Sequence, residues 1–594
     1  MTKIEKNWNL DDIIALEEYD AVLEQTRQDM VKFEEIFAKM SPDMSSVDFL
    51  AYLDLSERVG RNISRLYGRA SDMEAVDQKS SEAKALKEKS KDLYLLAGEA
   101  SRKIGLWLKG KKLGDKPVLD DKNAARLFAA AGEREYSLQY MRDGERYSLE
   151  EREENIIAQK DANGVSVLTD LREMIETEQV YSFAPEGEKP RTIESSSELL
   201  AFVHDADPKN REAAYRALFE QQQKNLDKYF MVYQAVVKDW AGEAKLRGYK
   251  SSIAMRNRAN HIPDEAIEAL MAVCSDNVGL FQRFFHWKAG RLGQQKLRRF
   301  DIYAPLDQSK QTVEYDDAEK LVIEVFEEFS SVFASHARRI IDARHIDSHP
   351  SPVKRGGAYC QTISPDIVPY VMLNYTGKLR DVSTLAHELG HGVHSLYAEK
   401  LPGSVQHANL PLAETASTFG EMILFERLLE RAEGDEERTN LLADKLTDSY
   451  ATIIRQNYFV KFELMAHERI PQGMTAEELS DLWLETLKEQ FGDAVEVDDT
   501  FRYEWSYIPH IVHTPFYCYA YNFGELLSLA LYARYKKEGM SFIATVERIL
   551  SAGGSQDPHE LLKSVGIDMT DKQFWQGSFD IIREWVERLE SKKS

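Results

Sequence analysis

The 594 residues predict a mainly α-helical chain of two lobes, with one small antiparallel sheet confined to the stretch around residue 360. Three observations predict it. Long segments return an apolar residue every three or four positions and carry few Pro or Gly, the period of a helix with one buried face. β-Branched and aromatic residues concentrate only between Ala358 and Tyr375. A chain of this length also exceeds what a single hydrophobic core organises.

From Leu10 to about Lys112 the pattern is long, charged and helical, with apolar residues recurring as around Leu93, Leu95 and Leu96. Asp120 to Val180 continues in the same way. The next segment, SFAPEGEKPRTIESSSE from Ser182 to Glu198, gathers Pro, Gly and Ser and reads as a connection, dividing the chain into an N-terminal helical lobe over 1–190 and a second domain over 191–594. Beyond it, Asp207-Pro208 supplies an N-cap and a proline at the first helical position. Tyr215, Leu218, Leu226, Tyr229, Tyr233, Val236 and Trp240 then fall on one stripe of a long amphipathic helix, which reads as core packing. AYCQTI from Ala358 and VPYVMLNY from Val368 form a hairpin pattern across a short Ser-Pro-Asp turn. Gly356-Gly357 just ahead fits a plain turn or a place where another backbone comes close. DVSTLAHELGHGVHSLYAE, beginning at Asp381, reads as a helix with Asp381 as its N-cap. Pro411 and small residues open another helix at NLPLAETASTFGE, and Ile582, Trp585 and Leu589 give the last helix its buried stripe.

Composition excludes several functions. Lys and Arg total 76 against 100 Asp and Glu, and the net charge of −24 repels phosphate backbones and anionic lipid surfaces, so neither nucleic acid nor membrane is an expected partner. Cys274, Cys360 and Cys518 stand far apart with no CxxC, which fits a reducing compartment and gives no thiolate metal site. The start, MTKIEKNWNLDD, has no apolar run after its charges, and no stretch approaches a membrane span. A cytoplasmic location is expected.

The chemistry is concentrated in HELGH. His387 and His391 are four residues apart, so on a helix their rings share a face one turn apart and can close on one metal ion. Glu388 reaches a water at the open position rather than the metal, the general base of the HExxH peptidase pattern. A catalytic zinc wants a third protein ligand. His394 shares the face, but seven residues at ~1.5 Å rise put it about 10 Å along the axis from His387. The metzincin pattern fails as well, since His394 and Tyr397 stand where its glycine and third histidine belong. Glu414 is the better candidate, with Glu421 two turns further along the same face.

HELGH followed by ETASTFGE resembles oligoendopeptidase F, within the thimet oligopeptidase-like zinc peptidases. The resemblance runs from about Asp207 to the C-terminus and includes RGYKSSIAMRNRAN and YIPHIVHTPFYCYAYNFGE, from Tyr507 to Glu525; the N-terminal lobe is similar only loosely. It implies one zinc per chain, Glu414 as third ligand, and Glu421 as the carboxylate that orients a ligand histidine. His510 would be the substrate-binding histidine and Tyr521 a contact to the oxyanion. The implied fold has two helical lobes flanking a deep channel, with the small sheet beside the zinc. Thr514-Pro515 stands where some relatives are shorter, and Cys518 replaces a tyrosine of the thimet branch.

Amide hydrolysis builds negative charge on the carbonyl oxygen, and donors aimed at it carry much of the catalysis. His510, His513, Tyr517, Tyr519 and Tyr521 offer such donors within a dozen residues. Gly357 and Ala358, opening the hairpin, are candidates to bind an extended substrate by strand addition. The expected function is therefore zinc-dependent endopeptidase action on internal bonds of short oligopeptides. A zinc carboxypeptidase or dipeptidase on a related scaffold, a non-catalytic peptide-binding protein with a structural metal, and an enzyme acting on other amides remain as alternatives. The sequence leaves the oligomeric state open, with a monomer slightly favoured.

Overall fold

Helices dominate because the chain caps them as well as patterning them. Ser45, Ser80 and Asp120 each accept the backbone N–H three residues on, opening the helices Ser46–Val76, Ser81–Leu108 and Asp121–Ala129. Asp207 caps Pro208–Lys224 as expected, with Pro208 in the first turn. The computed structural model describes residues 7–306 and 312–591; the first six residues, read above as lacking a leader's apolar run, lie outside the described residues. It is 72% helical with only small sheets, the class expected from periodicity.

Periodicity misled in two places. Leu93 is 1% exposed, but Leu95 and Leu96 are 60% and 50% exposed, so one of the three faces the core. The single helix expected from Pro208 to Trp240 is two, Pro208–Lys224 and Leu226–Leu246, broken at Asn225, whose φ of −108° and ψ of 12° lie off the helical values. The stripe stays buried across the break except at Trp240, which is half-buried and donates its ring N–H to the Ser252 carbonyl. Ile582, Trp585 and Leu589 are buried as read.

By spatial contact the chain forms two units, and each takes chain from both sides of residue 190. One comprises Met1–Glu154, Gln311–Arg427 and Arg534–Ile567; the other Asn155–Lys310, Leu428–Ala533 and Asp568–Ser594. In the first unit, the helices Tyr19–Lys39, Ser46–Val76 and Ser81–Leu108 bury a core that reaches Ile363, Ile367, Tyr370 and Met372. Trp8 ties the N-terminal segment down, its ring N–H donating to the carbonyls of Val371 at 2.8 Å and His345 at 3.1 Å. Here Tyr359–Gln361 pairs antiparallel with Tyr370–Met372, in the register Cys360 opposite Val371, as the hairpin reading required. A third strand, Ile346–Asp347, runs parallel to Tyr370–Met372, so the sheet is mixed and Tyr359–Gln361 is its edge. Two residues are too few to leave an alternating pattern in sequence.

In the second unit the segment read as a connection holds a hairpin, Tyr181–Phe183 with Arg191–Ile193. Its core includes Tyr215, Phe219, Phe300 and Phe501 and the buried Arg299–Glu504 ion pair at 2.6 Å. Glu463 is 0% exposed and accepts the backbone N–H of Phe516 at 2.7 Å, while Phe516 holds a φ of +60°, a strained value for a residue with a Cβ. Burial pushes the Glu463 carboxyl up to about 8, against the opposing pull of the Phe516 N–H and Arg256. The folded state thus keeps a proton that the unfolded chain releases, and stability present at low pH is lost as pH rises from the ordinary carboxyl range to about 8. Urea titrations at pH 5, 7 and 9 are expected to show the wild type losing stability relative to Glu463→Gln, by up to ~1.4 kcal/mol per pH unit across that window; parallel curves would contradict this. Among the described residues no helix is long and apolar enough to cross a membrane.

Candidate active site

The HELGH helix spans Leu379–Tyr397, starting two residues before its expected cap. Asp381 sits in the first turn, where its carboxylate accepts the backbone N–H groups of Thr376 at 2.7 Å and Lys378 at 3.1 Å. The helix can approach the next one because Gly390 has no side chain. A Cβ there would lie 2.6 Å from Ser417 Cα and 2.7 Å from the Ala416 carbonyl oxygen. Glu414 stands at the junction between the turn Leu410–Ala413 and the helix Thr415–Arg431, one residue before the helix rather than within it. Ser417 steadies it, its hydroxyl donating to Glu414 Oε2 at 2.9 Å. Gly390→Ala is therefore expected to lose about 1–3 kcal/mol of stability and to weaken metal binding, since it pries Glu414 away; calorimetry and metal analysis check both.

His387 Nε2, His391 Nε2 and Glu414 Oε2 form a triangle with sides of 3.1, 3.4 and 3.5 Å. A tetrahedral ion with bonds of ~2.0–2.1 Å spaces its ligand atoms about 3.3–3.4 Å apart. His387 Nδ1 donates to Glu421, which turns its Nε2 inward, and His391 Nε2 faces it at 3.1 Å. Two imidazole nitrogens at this separation need a proton or a cation between them. Burial opposes charge on His387, but Glu421, Glu414 and Glu388 outweigh it and hold its pKa up at about 9; burial lowers that of His391. Three carboxylates around two imidazoles make a site that calls for positive charge, and its donors fit a borderline-soft divalent ion. These three residues are the group able to hold a metal ion among the described residues.

Glu388 is 7% exposed and takes a hydrogen bond from the Cys360 backbone, which links it to the edge strand. Burial first, then the charges of Glu414 and Glu421, push it up to about 7 against the pull of His387. Ala358 and Cys360 share a cavity with Glu388 and His391. Gly357 has a φ of +83° and its carbonyl accepts the Asn374 amide at 2.7 Å; an added Cβ at Gly356 or Gly357 would meet nothing within 4 Å, so a turn accounts for the pair.

The second unit holds the late polar cluster. Tyr521 Oη lies 3.3 Å from His510 Nε2, and Tyr517 stacks on the His510 ring at 6.0 Å between centroids. Tyr519 is apart from them: it is 0% exposed and its hydroxyl accepts the Asn260 amide at 2.7 Å. His513 lies toward solvent, 3.7 Å from Glu173. Burial lowers the His510 pKa, helped by the charge of Arg455. His394 is buried, and burial depresses its pKa to about 4. Sequence reasoning missed Gly390 and Ser417. Both lie inside the motifs, but their roles depend on how two helices meet, which spacing along one helix does not disclose.

A helix-borne His-Glu-x-x-His with a glutamate just ahead of a second helix has the pattern of a metallopeptidase centre. The chain belongs to peptidase family M3, whose description matches residues 201–581. It is 30% identical to the group B oligopeptidase PepB of Streptococcus agalactiae over 396 residues, 66% of each chain. It is 26% identical to an oligoendopeptidase F homolog of Lactococcus lactis over 98% of this chain and 96% of that one. A putative peptidase from Chlamydophila abortus has the same fold, with a TM-score of 0.88 at 23% identity over 99% of this chain and 98% of that chain. The resemblance to oligoendopeptidase F read from HELGH and ETASTFGE is borne out.

Proposed function

We propose that the protein is a zinc-dependent endopeptidase that cuts internal bonds of short oligopeptides in the cytoplasm. The observation that carries this reading is the near-equilateral triangle of His387, His391 and Glu414 with Glu388 beside it. Zinc held there supplies Lewis acidity, polarising the scissile carbonyl and lowering the pKa of water. Glu388 takes the proton of the attacking water and passes it to the leaving amine. Glu421 fixes the His387 ring so that Nε2 faces inward. His510 and Tyr521, with Tyr517 and His513 nearby in sequence, are the proposed donors to the substrate and its oxyanion. The edge strand Tyr359–Gln361, entered through Gly357 and Ala358, is the proposed place for an extended peptide to add as a further strand, with little sequence preference. The family match at 201–581 supports residues 191–594 as the catalytic part, preceded by the helical stretch 1–190. Three unpaired cysteines support a reducing compartment.

The test is a library of terminally blocked peptides incubated with and without chelator and read by mass spectrometry. Internal cuts that vanish with chelator and return with zinc are expected. Release of single residues or dipeptides from free ends alone would contradict the endopeptidase reading.

A further inference from the structure

The motif RGYKSSIAMRNRAN, from Arg247 to Asn260, has no part in the hydrolytic chemistry. In the second unit it forms the helix Ser252–Ala259, which Asn260 ends. Arg256 and Asn260 are four residues apart, about one turn, and both reach the segment that holds the late polar cluster. Arg256 Nε donates to the Pro515 carbonyl at 3.0 Å, and the Asn260 amide donates to the Tyr519 hydroxyl at 2.7 Å. Among the described residues the Pro515 bond is the one hydrogen bond of the Arg256 guanidinium, and no carboxylate lies in ion-pair range of it. The helix Arg455–Arg469 supplies a second grip: Glu463 Oε1 accepts the Phe516 N–H at 2.7 Å, and the His467 ring lies 4.5 Å from the Phe516 ring between centroids. The Pro515 carbonyl and the Phe516 N–H are the two ends of one peptide group. That group is held at its oxygen by a charged donor and at its nitrogen by a buried acceptor, so it cannot turn without breaking both bonds. The clamp matters because Phe516 stands at a φ of +60°, and a side chain with a Cβ gains by leaving that region. Relief by rotation about its N–Cα bond would swing the next residue, Tyr517. The Tyr517 ring is 6.0 Å from that of His510 and 5.2 Å from that of Tyr521, and those two are 5.8 Å apart. Close-packed rings move together, so a displaced Tyr517 disturbs the 3.3 Å pair of Tyr521 Oη and His510 Nε2.

We propose that Arg256 and Glu463 are positioning residues: by clamping the Pro515–Phe516 peptide in its strained orientation they hold Tyr517, and through it His510 and Tyr521, in place for the reaction. The inference rests on the reading of His510 and Tyr521 as donors to the substrate and its oxyanion. Donors of that kind act on charge that forms in the transition state, so loosening them lowers kcat more than it raises KM.

The experiment measures kcat and KM of the metal-loaded full chain on one blocked peptide. Glu463→Met, close in shape but without an acceptor, and Arg256→Met are each expected to lower kcat roughly 10- to 100-fold, the scale of a misplacement near 1 Å, with KM within about threefold of the wild type. Glu463→Gln, whose amide oxygen still accepts the Phe516 N–H, is expected to keep kcat within about threefold. Tyr521→Phe sets the scale, and adding E463M to it is expected to cost less than about threefold more, because both changes remove the same contribution. Metal content and melting temperature are measured for each variant, and rates are taken well below the lowest melting point. An E463M variant with wild-type kcat, an E463Q variant as slow as E463M, or losses that multiply in the double variant would overturn the proposal, and R256M decides alone should E463M not fold. A slow Y521F beside fast clamp variants defeats this inference and spares the donor reading; a Y521F variant as fast as the wild type defeats both, and no internal cleavage by the wild type defeats the endopeptidase reading with them.

Discussion

The Glu388→Gln variant is expected to retain its metal and lose on the order of 10²–10⁴ in kcat, the range that general acid–base catalysis supplies. The substitution is almost isosteric, so the hydrogen bond from the Cys360 backbone has an amide oxygen to end on and the packing around a residue only 7% exposed is kept. What disappears is basicity, since an amide cannot take a proton from water. His387, His391 and Glu414 are untouched, so metal stoichiometry should match the wild type. Turnover by a clean, metal-replete Gln variant within tenfold of the wild type would remove Glu388 from the proton's path.

Glu414→Ala is expected to fail differently, by losing the ion. Two imidazoles one turn apart on a helix remain, and the vertex that closes the triangle at 3.4 and 3.5 Å is gone. Loss of an outer partner of a ligand typically costs 10–100-fold in metal affinity, and that is the expectation for Glu421→Gln, which leaves His387 its inward nitrogen but frees the ring to turn. Removing a ligand outright should exceed that range. Dialysed Glu414→Ala protein is expected to hold less than a tenth of an equivalent of metal and to show no activity until a large excess is supplied; metal analysis beside activity checks it. A stoichiometric ion in this variant would mean that the third ligand is another group.

The parts of this molecule that were legible in its sequence are those set by one element. His387 and His391 needed only the helical period, and Asp207-Pro208 needed only the chemistry of a helix start. The strand pair at Cys360 and Val371 announced itself through β-branched and aromatic residues. What escaped were relations between elements. Leu95 and Leu96 share the composition of a buried face, yet which face of the helix Ser81–Leu108 is covered depends on its neighbours. Asn225 breaks a helix without Pro or Gly to mark it. Tyr519 reads like Tyr517 and Tyr521, and only the fold puts its hydroxyl on Asn260. Gly390 sits in the motif as an unremarked spacer, although without it the backbone at Ser417 could not come close enough to bring Glu414 to the histidines.

The most direct test is anomalous diffraction at the zinc absorption edge from crystals of the wild-type protein purified without chelator. A single strong peak is predicted at ~2.0–2.2 Å from His387 Nε2, His391 Nε2 and a carboxylate oxygen of Glu414. No peak at that point, or an ion bound there with Glu414 outside bonding reach, would contradict it.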